Sequence, residues 1–465
     1  MTETGRRTPA PGRRTTGRRA VSPTGVLAVL LPLLTVGALA LVQPEVDGTD
    51  RRAAETVPVG QADLVCPAGT ASDSVVAVGQ AGAPAPGTVE VDANGETGEV
   101  DLRPDAVTLL PERDDATLVR ARGEVSAQLL ASRFQVRELA ASECPLPQPE
   151  YWFTGVGADA DHASVLELTN PDAGPAVADV TVMGRRGPID VPEMRGLTVQ
   201  GGRTVEVELA DAVPTTSDLA LQVVVSRGRL AAALRDEVPP LGTRTATRDW
   251  LPSAAEPVTE QLLLGLVPGP GRDVLSLANP TEDEARVEVR VVTADAAFAP
   301  RGLDEIEVAP GSIESVTLTG QLRDQVADGA LGVLVTSTEP VVSGLTSVVE
   351  GDLSHAAVVQ DADVAMTALV PPGTSSLVLS RAQGVGVAVV EAYDDGRLLH
   401  EERVELTQGS GGRIDLPRGT GLVRVTPRRT SVAAAVVATG AGATVVPLRE
   451  LVRTAVVPSV RPGLP

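Results

Sequence analysis

The sequence has no lysine, so all 39 of its basic residues are arginine. Asparagine occurs three times, at Asn94, Asn170 and Asn279, while Ala, Val, Gly, Pro, Arg and Asp are abundant. This is the coding bias of a GC-rich bacterium, a statement about origin and not about chemistry. Aromatics make up 2% of the chain, which argues against a base-stacking platform or a broad sugar-binding face. The net charge is −22, which disfavours a nucleic-acid backbone as partner. His162, His355 and His400 are isolated from one another, and none sits in an H-E-x-x-H motif. There is no G-x-S-x-G elbow and no P-loop. Gly384-Val385-Gly386 lies in a β-rich stretch with no helix behind it. The reading from these absences is a chain with no catalytic residue, no metal and no cofactor.

What is present begins with an address. Residues 1–20 carry Arg6, Arg7, Arg13, Arg14, Arg18 and Arg19 against Glu3. A charge-free run follows over residues 21–42, long enough at about 1.5 Å per residue to cross a hydrocarbon core of roughly 30 Å. The basic flank predicts an N-terminus inside and the bulk of the chain outside the cytoplasmic membrane, with the lipid bilayer as a partner through residues 21–42. A cleaved signal peptide is the rival, because Ala38-Leu39-Ala40 fits a small-x-small cleavage site. Both readings export the remainder, which is strongly acidic and therefore soluble. Residues 43–62 read as a linker and 457–465 as a tail.

Two cysteines, Cys66 and Cys144, lie in the exported part. An even count in an oxidising compartment, without C-x-x-C spacing, predicts one disulfide.

Internal similarity is the most informative feature. Leu166-Glu167-Leu168-Thr169-Asn170-Pro171 matches Leu275-Ser276-Leu277-Ala278-Asn279-Pro280, an offset of 109. Asp179–Val182 matches Glu288–Val291, and Gly202–Val207 matches Gly311–Val316, at the same offset. The runs at 119–127 and 423–435 resemble the ends of these copies. Within the copies the period is two: Val205, Val207 and Leu209 alternate with Thr204, Glu206 and Glu208. Asn94-Gly95, Asp395-Gly396 and Pro310-Gly311 supply turns. No exported segment carries a sustained helical stripe, and the nearest, 116–139, is interrupted by Gly123. Length and pattern together predict an all-β protein of tandem immunoglobulin-like antiparallel β-sandwich units after one N-terminal transmembrane helix. The units are a disulfide-bracketed β domain at 63–146, sandwiches at 147–256 and 257–366, and a β domain at 367–456. A β-propeller would repeat every 40–50 residues, a period the sequence lacks.

Three features are candidates for a site. Tyr151-Trp152-Phe153 gathers three of the seven aromatics, and Trp250 precedes the third unit. Exposed, these four would form a binding surface for a glycan or a protein. Buried, they would be strand and interface residues, as the apolar run Leu262-Leu263-Leu264 in the second copy implies. Asp159-Ala160-Asp161-His162 places two carboxylates and an imidazole together, suited to a divalent cation or a base, or to a plain polar turn. Asp361-Ala362-Asp363 after His355 is a weaker instance.

Cys144 just before Tyr151-Trp152-Phe153-Thr154-Gly155, the strand ending Thr169-Asn170-Pro171, its echo Ala278-Asn279-Pro280, and Asp249-Trp250-Leu251-Pro252 carry a resemblance. Together with the single N-terminal span, the chain resembles an uncharacterised actinobacterial family of membrane-anchored extracytoplasmic proteins. The resemblance implies a cell-envelope setting near glycan assembly and assigns no catalytic residue. The functional expectation is a non-enzymatic scaffold or accessory for another envelope protein. A glycan- or ligand-binding module is the alternative, and a metal-dependent enzyme the third reading.

Overall fold

The computed structural model describes residues 55–457, apart from 70–72, 83–85, 112–113, 239–245 and 452–453. The chain divides into two compact units, one made of residues 1–56 with 456–465 and the other of Val57–Ala455. Nearly all of the first lies outside the described residues, and with it the anchor expected at 21–42. Among the described residues no helix is long and apolar enough to cross a membrane.

The second unit is all-β, and every sheet is built of antiparallel pairs. The alternation visible in the sequence is the cause. In the strand Ala285–Val292 the residues Ala285, Val287, Val289 and Val291 are buried and those between them exposed. Asn94-Gly95 and Asp395-Gly396 both take positive φ at both positions, 53° and 84° in the first and 47° and 80° in the second. That is the geometry of a tight hairpin turn.

The sheets fall into four regions. The first, residues 61–143, has two four-stranded sheets, ordered Gln61–Cys66, Thr117–Arg122, Gly87–Ala93, Glu96–Leu102 and Val107–Leu109, Ser74–Gln80, Leu129–Gln135, Ala140–Glu143. Leu64, Val119 and Val89 of one sheet pack on Val76, Val78 and Ala131 of the other. Cys66 and Cys144 are joined by a disulfide that spans 78 positions, and both are buried in this core. The segment 116–139 contains no α-helix. Gly123, at φ 70°, opens a short 3-10 turn between two strands.

The second region, 150–251, and the third, 258–359, each hold nine strands. Asn170 and Asn279 end equivalent strands with equivalent bonds. Each side-chain amide donates to a carbonyl four residues on, Gly174 O at 2.8 Å and Asp283 O at 2.7 Å. Each also donates to a carbonyl 29 residues on, Val199 O and Val308 O, both at 3.0 Å. The repeated asparagines are thus structural clips, each tying an exposed turn to a buried strand carbonyl. In the third region the strand Gly332–Val349 runs through both layers. Its first half pairs with Val258–Leu264 and Ala285–Val292, its second with Gly271–Asn279 and Asp352–His355. The helix Thr319–Ala327, unforeseen in the sequence, buries Leu322 and Val326 one turn apart against this core.

The fourth region, 366–450, pairs a five-stranded sheet with a four-stranded one. Its core continues into the first region through Phe134, Ala77 and Ala141. The third and fourth regions share another apolar layer, with Leu262, Leu264 and Val359 against Ala433, Val437 and Val445. Trp152, Met183 and Ala220 of the second region meet Ala278, Ile313 and Val342 of the third. Val65 and Leu118 of the first meet Ala231 of the second. The contacts therefore close into a circuit from first to second to third to fourth and back to first. The regions are not beads on a string.

Strand Thr247–Leu251 is the hub of that circuit. The buried Asp249 carboxylate accepts the Ala141 amide of the first region at 3.3 Å and the Thr444 hydroxyl of the fourth at 3.2 Å. Burial pushes the Asp249 carboxyl well above the usual range, against its hydrogen bonds to Trp250 and Ala141. Two positions away, Thr247 donates to Asp352 of the third region at 2.8 Å, and Asp352 also accepts the Ala443 amide at 2.7 Å.

Candidate functional site

Two of the three histidines converge on one buried carboxylate. Strand Glu150–Ala158 turns back into Ala163–Thr169 through Asp159–His162. Asp159 Oδ1 accepts the amides of Asp161 and His162 at 2.9 and 2.8 Å, so this carboxylate caps the turn. Antiparallel pairing of Ala163–Thr169 with Ala231–Val238 sets Ser164 opposite Asp236. His162 lies two residues before Ser164 and shares its face. Ser164 Oγ donates to Asp236 Oδ1 at 2.6 Å, and His162 Nε2 meets the same oxygen at 2.7 Å. Gly157 makes room: a Cβ there would stand 2.4 Å from the His162 ring.

His355 arrives from the third region. Its strand pairs it with Thr346, whose hydroxyl lies 3.1 Å from Nδ1. Its Nε2 stands 3.5 Å from Asp236 Oδ2, and those two buried atoms make no hydrogen bond. Asp236 is wholly buried, whereas the His162 side chain is 25% exposed. Burial works against protonation of His162, but the Asp236 charge and hydrogen bond outweigh it and its pKa is raised. Burial lowers the His355 pKa to about 4; Asp236 opposes this and His162 adds to it. Of the two histidines, His162 is the one whose contact with Asp236 favours the protonated form, and His355 is the one that burial holds neutral.

A cleft of about 140 Å³ opens beside His162, between the second and third regions. Asp161, His162, Asp218 and Arg272 bring charge to it, Ser276 and Thr346 bring hydroxyls, and Val238, Val274 and Val348 are apolar. Asp161 and His162 thus reach one site, but Asp159 is held in the turn. Among the described residues no three His, Cys, Asp or Glu side chains are grouped to hold a metal ion. His355 is not gathered with Asp361 and Asp363. Asp361 accepts Gln383 Nε2 at 2.6 Å and lies 3.7 Å from Arg381, beside an open hollow that Asp363 and Arg429 also line.

The candidate binding surface at Tyr151, Trp152, Phe153 and Trp250 is corrected by burial. Their exposures are 0%, 3%, 1% and 5%. The physical reason is a strand buried on both faces. Tyr151 and Phe153 point into the core of the second region, and Trp152 points into its interface with the third. Leu262-Leu263-Leu264 repeats the arrangement, with Leu263 in the core and its neighbours at the interface with the fourth region. The Tyr151 hydroxyl accepts the Gln148 amide at 2.8 Å and donates to Leu230 O at 3.0 Å. Burial pushes the Tyr151 phenol up to about 12. Trp250 lies in the hub strand.

Sequence reasoning missed Asp236. The available signal was parity: in Ala231–Val238, Asp236 falls on the same face as Ala232 and Leu234, an inward carboxylate.

The family model described as Family of unknown function (DUF5719) matches residues 105–417, about two thirds of the chain. No curated protein matches it.

Proposed function

We propose that the chain, which belongs to the DUF5719 family of unknown function, is a membrane-anchored extracytoplasmic protein of an actinobacterial cell envelope. In this reading residues 21–42 hold it in the cytoplasmic membrane with the N-terminus inside. Its immunoglobulin-like units at 63–146, 147–256, 257–366 and 367–456 act together, without catalysis, as one rigid scaffold for another envelope protein.

The observation that carries the reading is the closed circuit of buried contacts. Domains strung as flexible spacers meet through small, polar interfaces. Here the joints are apolar layers, such as Leu262, Leu264 and Val359 on Ala433, Val437 and Val445. They are pinned by cross-region pairs such as Arg424 with Asp105 at 3.0 Å and Arg185 with Glu314 at 2.9 Å. Such a body holds its loops at fixed separations, which suits a platform. The glycan alternative loses its aromatic platform with the burial of Tyr151, Trp152, Phe153 and Trp250.

In-cell crosslinking of the tagged full-length protein, followed by mass spectrometry of the crosslinked species, tests the proposal. A reproducible membrane-protein partner supports it. Self-crosslinks alone, or none, contradict it.

A further inference from the structure

We propose that the cleft between the second and third regions binds a small zwitterionic amino acid with a short apolar side chain. This goes beyond the scaffold reading and stands or falls separately from it.

What carries it is the set of charges that line one cleft. Asp236 holds the His162 imidazole through Nε2 at 2.7 Å and is itself sealed from solvent. The His162 ring lines the cleft as the partner of Asp236 and supplies no unpaired charge there. The Arg272 guanidinium is exposed and has no ion pair or hydrogen bond among the described residues. Two carboxylates line the same cleft. Among the described residues Asp161 has no cation partner, and Asp218 has only Arg185 at 3.7 Å. A simple anion would meet Asp161 and Asp218, and a simple cation would meet Arg272. A ligand bearing an ammonium and a carboxylate a few ångströms apart satisfies both. Val238, Val274 and Val348 give an apolar patch for a short side chain. The volume of about 140 Å³ is well below the roughly 300 Å³ that drug-sized ligands need, which sets the size class. Gly155, at φ 83°, keeps the wall open, because a Cβ there would come within 3.2 Å of Ser276 Oγ.

Isothermal titration calorimetry of the purified full-length protein tests this, with L-alanine and D-alanine as probes. The expected result is saturable one-to-one binding of at least one enantiomer. N-acetylalanine lacks the ammonium and alaninamide lacks the carboxylate, and each is expected to bind at least about tenfold more weakly, a loss of about 1.4 kcal/mol or more. Arg272→Ala should weaken alanine binding by a similar factor, and so should Asp161→Asn. Both side chains are exposed, and an unchanged urea midpoint would show that each variant folds. Absence of binding by both enantiomers up to about 20 mM, beyond a millimolar Kd, overturns the proposal. Equal binding of either analogue, or unchanged affinity in either variant, also overturns it.

Discussion

His355 brings its Nε2 to 3.5 Å from Asp236 Oδ2, and the two residues belong to different β regions. They lie 119 positions apart in the chain, and only the closure of the second region on the third brings them together. Asp236 is accommodated in a buried place because His162 and Ser164 supply short bonds to its other oxygen. An unpaired buried carboxylate would oppose folding strongly.

That cluster makes stability depend on pH in both directions. The His162 pKa is raised in the folded state, so its contribution is complete below about 6.5 and is lost as pH rises through the raised value. The His355 pKa falls to about 4, so the fold is penalised as pH drops from about 6.5 toward 4, by up to roughly 3 kcal/mol. Urea unfolding across pH 4–9 should show a maximum near neutrality. His162→Ala should lower stability by about 3 kcal/mol at neutral pH and remove the alkaline decline attributable to this pair. A decline unchanged in that variant would assign it elsewhere.

Asp249 differs, because burial raises a carboxyl that has no cation partner among the described residues. Its folded pKa lies above the ordinary value of about 3.9, so the neutral acid is favoured and stability is lost as pH rises through the raised pKa. Asp249→Asn keeps Oδ1 as acceptor for the Ala141 and Trp250 amides and offers its NH2 to the Thr444 hydroxyl, which then accepts instead of donating, and should match or exceed the parent in stability above pH 4. Asp249→Ala leaves those groups unpaired and should lower stability by about 1–3 kcal/mol. Denaturation midpoints of the two variants provide the comparison, and an Asn variant as damaged as the Ala variant would refute the neutral-acid reading.

Trp152 and Trp250 are 3% and 5% exposed. Iodide should therefore leave the tryptophan emission of the native protein almost unquenched and quench it strongly after unfolding in urea. Steep quenching in the native state would restore an exposed aromatic surface.

The Cys66–Cys144 bridge closes a loop of 78 positions. By loop-closure entropy, Cys66→Ser with Cys144→Ser should lose about 4–5 kcal/mol. Chemical denaturation of the double variant in reducing and non-reducing buffer checks the loss, which should be independent of reductant. The parent should fall toward the variant only when reduced.

Local chemistry was legible in the sequence. The alternation around Val205 and Val287, the Asn94-Gly95 and Asp395-Gly396 turns and the Asn170/Asn279 echo each depend on residues near one another in the chain. The pairing of the only two cysteines was legible by count. The closed circuit was not, because Phe134 reads equally well as core of its own region or of the fourth. The carboxylates of Asp236 and Asp249 were silent for the same reason: their partners, His162 and Thr444, are far away in sequence. The polar run at Asp159–His162 was visible, but its separation into a turn cap and an ion pair depended on the strand register.

The claim on which the account rests is that four β regions form one body. Differential scanning calorimetry of the full-length protein measures this most directly. The contacts through Trp152, Asp249 and Phe134 predict a single transition for Val57–Ala455, with calorimetric and van't Hoff enthalpies in agreement. Two or more separable transitions, or a van't Hoff enthalpy a fraction of the calorimetric one, would contradict it and return the molecule to independent units on a string.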